Sequence, residues 1–377
     1  MKVLTIFAPG KIAGAEKVVS VGTNAINRGS KLILPSMIII EEKKAPDYAK
    51  EFIKTIENKE TISRIKCNTP LDFKMLTKLK KEISKVSPII VHTHGHKALF
   101  YAYLSKILLR SPIKLIHTHH GNTDHTLKVK LYEYLAHIIM KKCDKVISVS
   151  PKMTLEFKEK GFKNITEVNN MFSLSPAKSS TKNHKLFPPS VTHFLYLGRF
   201  SHEKNPKTLL NAFCNLLGEQ KNTKLHMVGD GPLLERLKNE YGHHKEIEFY
   251  GHKKDIREFI NNSNYLCLPS LTEGMPMTLI ESLCLGTPIV ANDVGAIPFM
   301  VNNNNCILID LDKHKNKKGV IDFDSLTKHW LESLRLAINT DKKSYTQKNK
   351  EIEKEKYSLV NWVKKIEREY QKLASSI

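Results

Sequence analysis

Two carboxylates eight positions apart, Glu273 and Glu281, are the side chains of this chain best placed to do chemistry. They lie in SLTEGMPMTLIESLCLGTPIVANDVGA, residues 270–296. An apolar strand pattern at 265–268 ends in Pro269-Ser270, and a helical pattern follows. The junction of a strand end and a helix start is where open α/β sheets bind ligands. Gly274 permits close backbone approach. Amides near Gly274 and Met275 can face an anionic or hydroxyl-rich ligand at the helix N-terminus, while Pro276 lacks a donor. If the whole interval is helical, Glu281 lies on roughly the same side as Glu273 but ~12 Å along the axis. Carboxylates flanking one bond sit about 5–9.5 Å apart, so this spacing suits two parts of one extended ligand. Taken alone, the pair reads equally well as two glutamates on a solvated helix. The flanking Gly274-Met275-Pro276, Gly286-Thr287-Pro288 and Val294-Gly295-Ala296-Ile297-Pro298 decide for a site.

Cations stand upstream in LYLGRFSHEKNP, residues 195–206. Arg199 offers a rigid fork suited to phosphate and Lys204 a point charge. Asn205 reads as an N-cap with Pro206 at the first helical position. MVGDGPLLERL, residues 227–237, is a strand, a tight turn using Gly229 and Gly231, and a helix. FYGHKKDI, residues 249–256, places His252 and Lys253 after a glycine, with Asp255 as the expected cap. Two histidine-rich strand ends complete the inventory: VHTHGHK at 91–97 and IHTHHGN at 116–122. His92, His94 and His96 have the i, i+2, i+4 spacing of one strand face, which suggests zinc. No acidic or cysteine partner stands near them, so lining a ligand cleft is the preferred reading.

These motifs resemble the retaining glycosyltransferases of family 4. The resemblance is strong from Leu195 to Val301 and weaker before Ser150. It implies the GT-B fold: α/β, with two Rossmann-like domains whose parallel sheets face each other across a cleft. It implies a nucleotide-diphospho-sugar donor as the substrate, with no cofactor and no metal. Glu273 would contact the sugar and Glu281 the ribose hydroxyls. Arg199 and Lys204 would bind the departing diphosphate, whose growing negative charge cations stabilise. Gly14, Gly229, Gly274, Met275 and Pro276 would line the donor, with His252 and Lys253 as candidate base contacts. His120, followed by Gly121, would stand by the reacting sugar, with His119 as its rival. His94, His96 and His119 would lie on the acceptor side. The acceptor would attack from the face that the diphosphate leaves, and a diphosphate oxygen would take its proton. Two Asp-x-Asp triplets, Asp310-Leu311-Asp312 and Asp322-Phe323-Asp324, read as surface turns rather than metal ligands. Three positions depart from the family pattern: Ala13 where a glycine is usual, Asn170 where Gly follows Asn, and Phe299 where Glu follows the Val-Gly-Ala-Ile-Pro turn. Asn170 is expected to supply a left-handed turn.

The elements that must position these residues alternate. Strand patterns at 3–7, 32–40 (interrupted by Pro35), 89–92, 114–117 and 145–149 are separated by helical ones, including 71–86 and one from about Glu16. That alternation means a parallel sheet covered on both faces. SLSPAKSSTKNHKLFPPS, residues 173–190, breaks the pattern and reads as a linker. Strands restart at 193–197, 224–228, 246–250, 265–268 and 289–291. The expected domains are an acceptor-binding 1–175, a nucleotide-sugar-binding 190–355, and a terminal helix in 356–377 crossing back to the first.

The 377 residues, 41% hydrophobic and 26% charged, fit two globular domains. The six cysteines show no CxxC or zinc spacing, which points to a reducing, cytosolic compartment. MKVLTIFAPG reads as a buried first strand rather than a signal peptide. No run of about eighteen apolar residues predicts a transmembrane helix. A formal charge of +22 favours anionic partners. Residues 127–143, with Lys128, Lys130, Lys141 and Lys142 among apolar and aromatic residues, fit a core-facing helix or one lying on an anionic bilayer. The expected acceptor is a glycan or lipid-linked glycan of lipopolysaccharide, capsule or exopolysaccharide, met at the inner face of the membrane. Two other classes fit less well. A nucleic-acid glycosylating enzyme lacks an Arg/aromatic base-reading motif, so no nucleic-acid partner is expected. A non-catalytic glycan-binding protein would not need all of Glu273, Glu281, Arg199 and Lys204.

Overall fold

A computed structural model describes residues 1–10, 14–69, 72–121, 127–171, 186–188, 190–253, 255–302, 305–352 and 356–376. Ala13, most of the linker and the side chains of Lys128 and Lys130 lie outside the described residues. The chain divides into two compact units, Met1–Ser173 with Tyr357–Ile377, and Leu174–Lys356.

The first unit alternates β1 (Lys2–Phe7), α1 (Gly14–Gly29), β2 (Leu34–Glu42), α2 (Pro46–Lys54), β3 (Ile62–Cys67), α3 (Phe73–Val86), β4 (Ile90–His94), α4 (His96–Leu109), β5 (Lys114–His119), α5 (Leu127–Met140), β6 (Lys145–Ser148), α6 (Pro151–Glu159) and β7 (Ile165–Glu167). Its sheet runs β3-β2-β1-β4-β5-β6-β7, with every pair parallel. A parallel sheet buried on both faces needs nearly continuous apolar strands, and β2 shows why. Ile38 and Ile40 pack with Leu79 and Leu99 on one face. Met37 and Ile39 pack with Val19 and Phe52 on the other. Pro35 does not interrupt this strand. It sits at its second residue, where a missing amide is tolerated.

The second unit contains β8 (Thr192–Leu197), a 3-10 turn (His202–Lys204), α7 (Pro206–Leu217), β9 (Thr223–Val228), α8 (Leu234–Tyr241), β10 (Ile247–Gly251), α9 (Arg257–Asn262), β11 (Tyr265–Leu268), α10 (Met277–Leu285), β12 (Ile289–Asn292), α11 (Ile297–Met300), β13 (Cys306–Ile309), α12 (Phe323–Asn339) and α13 (Lys342–Ile352). Its parallel sheet runs β10-β9-β8-β11-β12-β13. The strand order reverses between β1 and β4 in the first unit and between β8 and β11 in the second. Ligands of open α/β sheets bind at such switch points, beyond the strand C-termini.

The last helix, α14 (Leu359–Ala374), belongs to the first unit. Ile366, Tyr370 and Leu373 pack on Val3, Ile90 and Ile116. Gly22 of α1 makes room for Trp362, since a Cβ there would lie 2.5 Å from the indole.

Glycines also set the loops of the second switch point. A Cβ on Gly229 (φ +144°) would lie 1.8 Å from the Gly198 carbonyl oxygen. One on Gly295 (φ +61°) would lie 1.7 Å from the Glu273 carbonyl oxygen. Backbone therefore packs directly on backbone at both places, and Gly229 serves the structure of the turn. Gly229→Ala and Gly295→Ala should each cost about 3 kcal/mol or more. A urea midpoint by circular dichroism that is unchanged in either variant would contradict this packing.

Candidate active site

The second unit brings Lys204 and Glu273 into contact. β8 ends at Leu197, and the chain turns through Gly198 to Ser201 into the 3-10 turn that ends at Lys204. Asn205 follows in the left-handed region (φ +47°), which Asn tolerates better than most residues. It occupies the N-cap position of α7, but its side chain does not cap, contrary to expectation. Its amide instead donates to the Pro269 carbonyl at 3.3 Å, and its Oδ1 accepts from Thr208 at 3.0 Å. The loop after β8 is thereby tied to the end of β11. The Leu271 amide adds a second tie by donating to the Glu203 carbonyl at 2.8 Å.

Asn292, fully buried at the end of β12, braces the same loop from the other side. Its Nδ2 donates to the carbonyls of Pro269 (2.9 Å) and Ser270 (3.1 Å), and its Oδ1 accepts from Trp330 Nε1 at 2.9 Å. Held in this way, Ser270 Oγ donates to Glu273 Oε1 at 2.7 Å. Lys204 Nζ donates to the same oxygen, also at 2.7 Å. The Glu273 side chain is 6% exposed and that of Lys204 27%. Glu273 Oε2 takes no hydrogen bond from any described residue. Ser270, Asn292 and Trp330 are not among the charged and histidine residues of the sequence motifs. A polar residue ending an apolar central strand, as Asn292 does, is the signal that marks such a brace.

Arg199 is exposed on the same loop. Its carbonyl accepts from the Tyr196 hydroxyl at 2.7 Å. Burial, then the charges of Glu273 and Glu203, hold the Tyr196 phenol well above its ordinary range, so it stays a donor. Burial raises the pKa of Glu203, but the Ser201 hydroxyl, its own amide, Arg199 and Lys204 outweigh that and lower it. The site therefore has Lys204 paired with a buried carboxylate of the next loop, and Arg199 exposed on Lys204's own loop.

Helix α10 begins only at Met277, with Met275 and Pro276 buried and Gly274 exposed. Half of the interval between the two glutamates is therefore not helical, and the expected separation loses its premise. Glu281 lies inside α10, 5% exposed. His252 and Lys253 are exposed beyond β10, with Lys253 Nζ 5.9 Å from the Tyr250 ring centroid. Asp255 is not the N-cap expected of it: it stands one residue before the N-cap, Ile256, and its Oδ1 accepts from the amide of the first helical residue, Arg257, at 3.1 Å. Asp322 caps α12 and Asp310 accepts from Asp312 N, so both triplets make local turns. Among the described residues no group of three or more His, Cys, Asp or Glu could hold a metal. Phe299 stands 43% exposed on α11.

In the first unit the histidines sort by strand alternation. Gly95 (φ +81°) ends β4, and His96 opens α4, so the three histidines of 92–96 do not share one strand face. His92 is saturated: Nδ1 meets the Tyr370 hydroxyl at 2.6 Å and Nε2 the Thr118 hydroxyl at 2.7 Å. His94, 7% exposed, bonds through Nδ1 to His120 Nε2 at 3.0 Å and borders a cavity of only 30 Å³. His119, also 7% exposed, turns the other way, 5.3 Å from the Phe157 ring and 5.9 Å from His96. His94 and His119 are thus core residues, a correction to the acceptor-side reading. His96 lines an open pocket of 540 Å³. Gly14 opens α1, and Glu16 two residues on accepts from Gly10 N at 3.0 Å. Asn170 is buried, and the left-handed non-glycine residues among those described are Ser87, Arg110 and Asn205, so its turn forms without that conformation.

Burial, then His120, pushes His92 down to about 3. Burial, then His96 and His137, does the same to His119. Burial takes His120 to about 4. All three are neutral at pH 7. Their folded values lie below an unfolded value near 6.5, so the unfolded chain binds more protons between the two. The stability they support is complete above about pH 6.5 and is lost as pH falls toward 4. The urea midpoint of the first unit should fall steadily from pH 6.5 to 5, above the range where carboxylates titrate. A midpoint flat over that window would contradict the buried histidine network.

Residues 178–356 match the family model "Glycosyl transferases group 1", and residues 41–175 match "Glycosyltransferase Family 4". Similar curated proteins include an uncharacterized glycosyltransferase of Methanocaldococcus jannaschii, 29% identical over 44% of this chain and 42% of its own length. An alpha-1,4-N-acetyl-D-galactosaminyltransferase of Campylobacter jejuni, named for a diNAcBac-PP-undecaprenol-linked substrate, is 28% identical over 55% of this chain and 57% of its own. An Escherichia coli UDP-Gal:alpha-D-GlcNAc-diphosphoundecaprenol alpha-1,3-galactosyltransferase is 27% identical over 63% and 64%. The chain thus spans less than two thirds of the length of each. Among solved structures, Anabaena HepE in complex with UDP shares the fold at TM-score 0.76 and 16% identity, covering 99% of this chain and 100% of that one. The lipopolysaccharide outer core galactosyltransferase WaaB does so at 0.71 and 21%, covering 97% and 98%. With a family 4 domain followed by a group 1 domain, each built on a parallel sheet, this chain belongs to the glycosyltransferases of GT-B fold.

Proposed function

We propose that this protein transfers a sugar from a nucleotide-diphospho-sugar to a glycan or lipid-linked glycan, with retention of anomeric configuration and without a metal ion. The observation that carries the reading is the Lys204–Glu273 contact at the β8/β11 switch point, with Arg199 on the same loop. A departing diphosphate gains negative charge, and preorganised cations lower that barrier. Lys204 and Arg199 are the cations proposed for it. Glu273 Oε2 is the proposed acceptor of a sugar hydroxyl, while Ser270 keeps the carboxylate oriented through Oε1. Glu281 is assigned to the ribose, and His252 and Lys253 to the base. A diphosphate oxygen takes the acceptor's proton, so no protein nucleophile is needed. His120 of the first unit is proposed as a hydrogen-bond donor to the sugar. As a neutral imidazole it adds no positive charge beside an oxocarbenium-like centre.

The acceptor class follows the relatives, two of which are named for diphosphoundecaprenol-linked glycans. Work at the inner face of a membrane is part of the proposal. No helix among the described residues is long and apolar enough to cross a membrane. Helix α5 nonetheless exposes Tyr134, Leu135 and Ile138, followed by exposed Lys141 and Lys142. Such a strip suits adsorption to an anionic surface.

A panel of nucleotide-diphospho-sugars, assayed for transfer to lipid-linked glycan, tests the reading. Glu273→Gln, Lys204→Ala and Arg199→Ala should each lower kcat about 100-fold or more. EDTA should leave the rate unchanged, and the product's anomeric proton coupling should match the donor's. Full activity in all three variants would overturn the site, and an inverted product would overturn retention.

A further inference from the structure

The 540 Å³ pocket of the first unit has a built amphiphilic character that the donor chemistry does not use. It lies beyond the C-terminal ends of β2 and β3, beside the start of α4. Its lining includes Lys43, Lys44 and Lys97. Lys97 Nζ bonds Glu42 Oε1 at 2.6 Å. Lys43 and Lys44 are exposed and pair with no carboxylate among the described residues. Three ammonium groups thus stand against one carboxylate. The first residues of α4, a 14-residue helix, also line the pocket and add the partial positive charge of its N-terminus. Phe100, Leu135 and Ile139 give the same pocket an apolar wall. That wall does not close. Leu135 is 43% exposed and continues into the exposed Tyr134 and Ile138 on the same helix.

We propose that this pocket seats a lipid phosphate or diphosphate, the lipid-linked end of the acceptor, with its anionic head among the three lysines and its chain leaving over Leu135 along α5. The proposal rests on the reading of the protein as a transferase to lipid-linked glycans. Its physical basis is the joining of surplus positive charge to an apolar wall that opens outward. A neutral glycan would leave the charge unused, and a free phosphate would leave the wall unused. The volume falls within the usual range for ligand pockets, about 300–1,000 Å³.

The test uses the full chain and geranylgeranyl diphosphate below its micelle concentration, with inorganic diphosphate and phosphatidylglycerol vesicles as comparison ligands. The wild type should bind geranylgeranyl diphosphate at least about tenfold more tightly than inorganic diphosphate. The double substitution Lys43→Glu with Lys44→Glu should weaken the lipid diphosphate about tenfold or more. Leu135→Gln should weaken it while leaving inorganic diphosphate unchanged. All these side chains are exposed, and equal melting temperatures should show that the variants fold. Unchanged affinity in the lysine variant would overturn the proposal. So would displacement of the lipid diphosphate by UDP, which would place it in the nucleotide site. Vesicles that bind as tightly as the lipid diphosphate and show the same lysine dependence would assign the lysines to bulk anionic lipid and also overturn it. Failure of every nucleotide-sugar to react would sink the transferase reading while leaving these binding measurements as they are, so the two failures are distinguishable.

Discussion

One ion pair organises the second unit's site: Lys204 and Glu273 meeting at 2.7 Å between two loops that begin on neighbouring strands. A carboxylate whose side chain is 6% exposed must be compensated, or its charge would be too costly to keep. Compensation comes from Lys204 and Ser270 on a single oxygen. The loops that carry these groups are pinned by Asn205, Asn292 and Trp330, and by glycines too close to their neighbours to carry a Cβ. The geometry is therefore over-determined before any ligand arrives, as preorganised electrostatic catalysis requires.

The first unit solves a different problem. Five histidines in or just after β4 and β5 (His92, His94, His117, His119 and His120) are pushed toward the neutral form by burial, and all but His120 also by neighbouring histidines. His92 is anchored between Tyr370 of α14 and Thr118 of β5, which ties the chain's last helix to the strand leading to His94. His94 in turn meets His120. The orientation of the candidate catalytic histidine thus depends on a helix more than two hundred residues away in sequence.

Much of this was legible in the chain. Continuous apolar runs such as Met37–Ile40 mark doubly covered parallel strands, and their alternation with helices implies two such sheets. Strands β3, β7 and β13 carry too weak a pattern to show in the sequence. β3 (ISRIKC) buries only Ile65 and Cys67 and looks polar. β7 has three residues, and β13 follows a run of asparagines. Residue type and the flanking Gly-Met-Pro and Gly-Thr-Pro motifs mark the loops on which Lys204 and Glu273 meet, but the eight-residue spacing does not give their geometry, since α10 begins only at Met277. What positions them leaves no such mark. Asn205 looks like a helix cap, yet its side chain answers to Pro269, 64 positions away. Gly95 ends a strand that the histidine spacing alone would extend through His96. Contacts between distant segments carry no local pattern, so a single sequence records the parts of the site but not its braces.

In the proposed function the Lys204 ammonium, held in place by Glu273, meets the diphosphate. A crystal structure with an intact nucleotide-diphospho-sugar or its unreactive analogue tests it most directly. It should show a diphosphate oxygen within hydrogen-bonding distance of Lys204 Nζ and of the Arg199 guanidinium, with a sugar hydroxyl on Glu273. A nucleotide-sugar bound away from the β8 and β11 ends, with neither cation touching its phosphates, would contradict it.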